Sequence, residues 1–299
     1  MADVVTIRDA STTDRPPRPR RLIPLSLRML AAMLAVSGIT TVLWVGIPAY
    51  RQHVATREIR RLGGYVSLFG RKQNWLTRWV GEDRLADFTP VFEVFGNVPG
   101  EDSDFDDGAM RYVSGLGPVF GIILSNTRVT DLGLRHLCGL KGVYEVNLSG
   151  LDITDVGIAN IRTLTNLDEL NLDNTKLTNA GLSHLRGLTK LRKLSMSGTS
   201  VSDAGMENLR GLTELEYLWL GDTGLTDAGL NHLEGMRNLK MLSLDDTIVT
   251  DAGIIQLAEH SNLTELYLRD TKVTSEGVAV LQAAVPTLRI TTEYWKPPR

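Results

Sequence analysis

Hydrophobic residues in the C-terminal two thirds of the chain recur with a period of 24 residues. An aliphatic residue opens each unit, at Val129, Ile153, Leu177, Val201, Leu225, Val249 and Val273. A glycine fills a second fixed position, at Gly133, Gly157, Gly181, Gly205, Gly229, Gly253 and Gly277. Seven registered units predict a repeat architecture in which each unit is one supersecondary element.

Each unit predicts a helix, a turn and a strand. In the unit 225–248, Thr226 is the predicted helix N-cap, and Asp227 lies where the positive end of a helix favours an acid. Helical spacing continues through Leu230, Leu233 and Met236. The segment 239–244 then has the pattern LxxLxL, and its last two leucines alternate as in a strand.

A threonine column and the glycine column indicate how each unit turns and packs. A threonine ends the strand at Thr127, Thr175, Thr199, Thr223, Thr247 and Thr271, with Leu151 in its place once. We expect its hydroxyl to bond the backbone of the turn, and we expect the repeated glycine to permit close packing at the helix start. A single unit buries too little apolar surface to offset its lost chain entropy, so stacking must supply the difference.

Stacked units of this kind must curve. Parallel strands lie about 4.8 Å apart, whereas packed helices need about 8–10 Å. The predicted fold is therefore an α/β solenoid with a parallel sheet on the concave side and helices on the convex side.

The repeat LxxLxLxxTx[VIL]TDxGLxxLxxL resembles the leucine-rich-repeat superfamily and covers Phe120 to about Ile290. It is most similar to the ribonuclease-inhibitor-like, cysteine-containing branch, with threonine where that branch has cysteine or asparagine. Similar arrays occur in bacterial single-pass membrane proteins. The resemblance implies a right-handed solenoid and protein binding, without a fixed ligand.

One segment predicts a membrane helix. Met29 to Tyr50 is uncharged over 22 residues, which at about 1.5 Å per residue spans a hydrocarbon core of about 30 Å. A cleaved signal peptide is the alternative, but its apolar region is usually about 7–15 residues long. Arginines flank both ends, five before and four after within twenty residues. This small excess, and the short tail before a long body, favour a signal-anchor with the repeats outside the cytoplasm, on the periplasmic side.

The domain organisation follows from these segments. It comprises a basic tail (1–28), the membrane helix (29–50), a juxtamembrane segment and N-terminal cap (51–90), the repeats (91–283, with 24-residue units from 129) and a C-terminal cap (284–299). Within the cap we predict a helix over Ala55–Leu62, a strand over Tyr65–Phe69 and a short apolar helical face over Trp75–Val80. A further strand is predicted at Val91–Phe95.

Charge and composition narrow the function. Residues 1–61 carry ten arginines and four acidic residues, whereas residues 62–118 and 119–299 have net charges of −4 and −5. A nucleic-acid-binding domain should itself be basic, so this class is excluded. Cys138 is the single cysteine, which rules out an intrachain disulfide. The sequence has no phosphate loop, GxSxG or HExxH motif, and it predicts neither an enzyme nor a cofactor.

Outward-facing strand residues supply the candidate site. Between the inward leucines, an aromatic patch is predicted on the concave face, and it consists of Tyr217, Trp219, Met241 and Tyr267, bordered by Lys193, Asp245 and Arg269. Such a patch is typical of a protein-binding hot spot, although cross-strand packing that only stabilises the sheet would use the same residues.

Other candidate groups have structural interpretations. A column of Asp222, Asp246 and Asp270 predicts solvated turn residues, with a cation site as the alternative. The acidic segment 101–108 fails as a calcium loop because Asp107 and Val113 occupy the positions that need glycine and glutamate. The repeated histidines His136, His184 and His232 lie two units apart, too far for one metal ion. His260 replaces a core leucine and is predicted to be partly buried.

The sequence therefore predicts a membrane-anchored module that binds or scaffolds proteins through its concave face. Two alternatives remain open: an envelope glycan-binding module in which Trp219 and Tyr267 stack on sugar rings, and a structural spacer without a specific ligand.

Overall fold

The structure is a computed structural model that describes residues 47–68, 91–96 and 103–292. The basic tail, residues 29–46 of the predicted membrane helix and the predicted apolar face over Trp75–Val80 lie outside these residues. Within them, no helix is long and apolar enough to cross a bilayer. The last four residues of the predicted span, Ile47–Tyr50, form the first turn of helix α1.

The chain before the repeats forms α1 (Ile47–Arg61), β1 (Tyr65–Leu68) and β2 (Val91–Phe95). The remaining strands are β3 (Val119–Ile123), β4 (Glu145–Asn147), β5 (Glu169–Asn171), β6 (Lys193–Ser195), β7 (Tyr217–Trp219), β8 (Met241–Ser243), β9 (Glu265–Tyr267) and β10 (Arg289–Thr291). The remaining α-helices are α2 (Asp107–Met110), α3 (Asp131–Leu134), α4 (Asp155–Ile161), α5 (Asp203–Met206), α6 (Asp227–Leu230), α7 (Asp251–Ile255) and α8 (Ser275–Ala284).

The described strands form one sheet of ten strands in chain order. β2 to β10 are parallel, and pairs such as Leu218 and Leu242 are 24 residues apart, which confirms the predicted register. β1 is antiparallel to β2, with Tyr65 opposite Phe95. The 24-residue sequence period is therefore also the spatial repeat.

The predicted inward positions form one continuous core. Leu242 and Leu244 of the strand segment and Leu233 and Met236 of the helical segment have no exposed surface, and Leu230 is 2% exposed. The same cluster runs through every unit from Ile59 to Leu288. Burial of both flanks of each coil gives the array its stability.

The helical segment of most units is split. In the unit 225–248, one turn of α-helix in α6 is followed by a 3₁₀ turn over Asn231–Leu233. A 3₁₀ helix rises about 2.0 Å per residue against about 1.5 Å for an α-helix, so it covers the same path with fewer residues. The predicted N-cap is confirmed, because the Thr226 side chain accepts a hydrogen bond from the Ala228 N–H.

The aspartate after the N-cap links one coil to the next. Asp227 Oδ1 accepts the N–H of Thr250 at 2.8 Å, and Oδ2 accepts its hydroxyl at 2.6 Å. The same pair recurs from Asp107 onwards, with Asn179 and Ser202 as its neutral version. A Cβ atom at Gly253 would collide with the Asp227 carboxylate, which explains the glycine column.

The threonine column forms the predicted turn bonds. Thr247 Oγ1 donates to the Leu244 carbonyl at 2.6 Å, and Thr175 Oγ1 donates to the Leu172 carbonyl at 2.7 Å. Each bond lies within one unit, so the column fixes the chain where it leaves the strand.

The open end of the first coil is covered by α1. Ala55 and Ile59 of this helix are buried in the common core with Phe105 and Val113. A Cβ atom at Gly64 would meet both Ile59 and Phe105, so the turn after α1 is pressed against the first coil. At the other end, the longer helix α8 buries Leu281.

Candidate functional site

The outward side chains of β2 to β10 form one surface, which we call the strand face. Strand pairing places Tyr217 beside Met241, and it places Trp219 beside Ser243, which in turn pairs with Tyr267. The aromatic residues therefore lie on β7 and β9, with Met241 on the strand between them. Trp219 and Tyr267 are two strand spacings apart, which is about 10 Å.

Tyr217 and Trp219 form a stacked pair on β7. Their ring centroids are 6.2 Å apart and their planes differ by 18°. Both side chains are partly exposed. Lys193 Nζ lies 6.0 Å from the Tyr217 ring centroid, at the outer limit of a cation–π contact. The pair therefore presents a fixed aromatic surface with a cation at one edge.

Met241 does not contribute to that surface as predicted. It is 6% exposed, and Ser243 on the same strand is also 6% exposed. β8 is therefore a low row, with little exposed side-chain surface, between the two strands that carry the aromatic rings.

Asp245 and Arg269 close one side of the patch. Arg269 Nη2 and Nε donate to Asp245 Oδ2 at 2.5 and 3.0 Å, and the Arg269 N–H donates to Oδ1 at 2.8 Å. Asp245 is 8% exposed. Both oxygens of this buried carboxylate accept hydrogen bonds from Arg269, so the Asp245 charge is neutralised and the two side chains hold each other in place at the edge of the patch.

Tyr267 is held by its own strand. Its hydroxyl donates to Glu265 Oε2 at 3.0 Å. This bond, together with burial, raises the pKa of Tyr267. The ring is therefore positioned by a neighbour and has a partly satisfied hydroxyl.

The strand face also contains an acidic part that the sequence analysis did not single out. It consists of Glu93 on β2, Glu145 on β4 and Glu169 on β5. A Cβ atom at Gly121 would lie 2.7 Å from Glu93 Cγ, so the glycine lets Glu93 lean across β3 towards Glu145. Burial, followed by the charges of Glu169 and Glu93, raises the pKa of Glu145.

An aromatic pair lies at the starting edge of the acidic strands. The ring centroids of Phe120 and Tyr144 are 6.3 Å apart with an angle of 46°. Burial and the nearby carboxylates, Glu145 first, raise the pKa of Tyr144. The acidic part therefore has a partly apolar border.

A ladder of ion pairs runs along the same edge. Glu216 accepts Arg192 Nη2 at 2.6 Å through Oε1 and Lys240 Nζ at 2.6 Å through Oε2. The side-chain bonds from Lys240 and Arg192 lower the pKa of Glu216. This ladder joins three consecutive units below the aromatic patch.

The other candidate groups have structural roles. Asp222, Asp246 and Asp270 have positive φ angles, which explains the acidic column as turn geometry. Asp107 bonds the N-cap Thr130. Among the residues that the structure describes, no group of three His, Cys, Asp or Glu side chains is arranged to hold a metal ion.

The solved structures that match this chain include two internalins of Listeria monocytogenes. Internalin C2 aligns with a TM-score of 0.55 and 25% identity over 70% of this chain and 83% of its own. The internalin inlF aligns with a TM-score of 0.53 and 21% identity over 62% of this chain. The chain has a leucine-rich-repeat fold. It spans about half of the inlF chain, 51% of its length. No protein-family model matches the sequence, and no curated protein has a significant match.

Proposed function

We propose that this protein is a membrane-tethered module that binds a protein partner through the strand face. The observation that carries the proposal is the stacked Tyr217–Trp219 pair facing Tyr267 across the low strand β8. Aromatic rings held rigidly on a sheet lose little side-chain entropy on binding, and they dominate protein-binding hot spots. Lys193, Asp245 and Arg269 border the rings and give the surface a polar rim. The proposal assigns the chain neither catalysis nor a cofactor.

The finer assignments rest on the sequence. We infer that the repeats are of the ribonuclease-inhibitor-like type, supported by helix starts that resemble the TDxGL motif, which is complete at 130–134 and 226–230. We infer also that residues 29–50 anchor the chain with the repeats outside the cytoplasm. Protease treatment of spheroplasts tests the orientation: loss of the repeat region without lysis supports it, and protection until lysis contradicts it.

The binding proposal is tested by co-purification from cross-linked, detergent-solubilised membranes. We expect Trp219→Ala to reduce capture of a specific protein at least tenfold, because it removes the central ring without opening the core. Leu132→Ala is the matched control, since Leu132 is 64% exposed on helix α3. Equal capture by the wild type and Trp219→Ala would contradict the proposal, and a Trp219-dependent signal on a glycan array alone would replace the protein with a carbohydrate.

A further inference from the structure

The charges of the strand face are unevenly neutralised. Its two cations between β2 and β9 are already engaged, Lys193 with Glu169 at 2.5 Å and Arg269 with Asp245 at 2.5 Å. Among the described residues, neither Glu93 nor Glu145 forms a salt bridge. The part of the strand face from β2 to β4 therefore carries unbalanced negative charge, and two strands separate it from the aromatic patch that begins on β7.

These two carboxylates are in an unfavourable environment for a charge. Glu93 and Glu145 are both half-buried, and burial raises the pKa of each. Lys193 opposes the shift of Glu145 but is committed to Glu169. A cation delivered from outside would restore the interactions that these carboxylates lost with water.

The acidic and aromatic parts lie on one uninterrupted path. The gap between Glu93 on β2 and Glu145 on β4 is centred on β3, which is four strand spacings, about 19 Å, from Trp219 on β7. Strand pairing joins Asn147 to Trp219 through a row that contains only Asn171 and Ser195, and Ser195 is 8% exposed. Short side chains along this row leave room for an extended segment that crosses the strands.

We propose that the partner is a polypeptide segment that places a lysine or arginine between Glu93 and Glu145 and an aromatic or large apolar side chain against Trp219. An extended chain rises about 3.3 Å per residue, so about 19 Å corresponds to a separation of five or six residues. The charge excess commits the occupant to a basic segment and disfavours an acidic one. This inference rests on the proposed protein-binding function and names the chemistry of its partner.

The test is a selection of random dodecapeptides displayed on phage against the detergent-solubilised full chain. Four baits are compared: the wild type, Glu93→Gln/Glu145→Gln, Trp219→Ala, and Glu207→Gln/Glu234→Gln. The last variant removes the same charge from exposed residues of the helical side. Circular dichroism of each bait confirms that it is folded before selection.

We expect peptides from the wild type and the control to contain a basic residue five or six positions from an aromatic or large apolar one. Binding of these peptides should fall at least tenfold on Glu93→Gln/Glu145→Gln and on Trp219→Ala. Peptides that need Trp219 but show no basic residue, or that bind the double Gln variant equally, would overturn this inference alone. Peptides that bind independently of Trp219 would overturn the proposed function as well.

Discussion

At the scale of single residues, backbone conformation explains a column that resembled a ligand set. Asn174, Asp222, Asp246 and Asp270 have φ angles of 54°, 49°, 58° and 52°. A residue with a Cβ atom pays about 1–2 kcal/mol in this left-handed region, and asparagine, aspartate and glycine are the residues that tolerate it. Gly198, in the same column, has a φ angle of 67°. The composition therefore follows from the turn.

A pair of substitutions tests this reading at Asp222, whose side chain is exposed. We expect Asp222→Ala to lower the free energy of unfolding by about 1 kcal/mol, because alanine adopts a left-handed conformation poorly. Asp222→Gly should be at least as stable as the wild type, because glycine occupies the same turn position at Gly150 and Gly198. Urea denaturation measures both. Equal losses for the two variants would show that the carboxylate itself stabilises the turn.

The burial of His260 could be predicted only in part from the sequence. It was predicted to be partly buried, and it is 3% exposed. Its Nε2 lies 3.0 Å from the Leu233 carbonyl, and Nδ1 has no partner. The sequence shows a histidine in a leucine column, but only the packed neighbours decide how far it is buried.

We expect His260→Leu to raise the free energy of unfolding by about 1 kcal/mol, because it removes an unpaired buried nitrogen. The Leu233 carbonyl keeps its bond from the Met236 N–H at 2.8 Å. His184→Leu is the control, since His184 is only partly buried on the helical side. A loss of stability in His260→Leu, measured by thermal unfolding, would mean that the histidine packs better than leucine at this site.

At the scale of elements, the aspartate that follows each N-cap bonds the next coil, and this contact cannot be predicted from one helix alone. Asp227 was predicted to act on the dipole of its own helix. The structure shows that it bonds Thr250, which is 23 residues away. Such a contact appears only when successive coils are superimposed. The glycine column could be predicted to permit close approach, but the atom that approaches is this carboxylate.

Asn179 is a natural control for the bonds between Asp227 and Thr250, because it makes the same contact without a charge. We expect Asp227→Ala to cost about 2 kcal/mol, since a half-buried N–H and hydroxyl of Thr250 lose their acceptors. Asp227→Asn should retain most of the stability, because Asn179 holds Ser202 through two bonds of 2.8 Å. Urea denaturation gives both values. If Asn is as harmful as Ala, the negative charge rather than the hydrogen-bond geometry is what joins the coils.

At the scale of the whole molecule, the period predicted the register of the sheet and therefore the columns of the strand face. It did not predict which side chains of that face are exposed, because exposure depends on how neighbouring side chains pack, and Met241 is only 6% exposed. The acidic part was also missed. Glu93 pairs with Gly121 at a separation of 28 residues rather than 24, and its side chain occupies the space that a Cβ atom at Gly121 would fill.

Glu145 links the stability of the array to its proposed use. Its folded pKa is raised by burial and by Glu169 and Glu93, against the opposing charge of Lys193. Because the folded pKa lies above the unfolded one, the carboxyl favours folding least when it is ionised. The penalty is absent below about pH 4 and grows as the pH rises through the folded pKa.

We therefore expect Glu145→Gln to be more stable than the wild type at pH 7 by about 0.5 kcal/mol, the scale of a like-charge pair on neighbouring strands. The difference should vanish below about pH 4, and Glu234→Gln on the helical side should show no such pattern. Urea denaturation at several pH values measures it. A pH-independent difference would mean that the amide gains a new hydrogen bond instead. Binding of the proposed basic segment would offset this destabilisation, because it supplies the counter-charge that Glu145 lacks in the isolated fold.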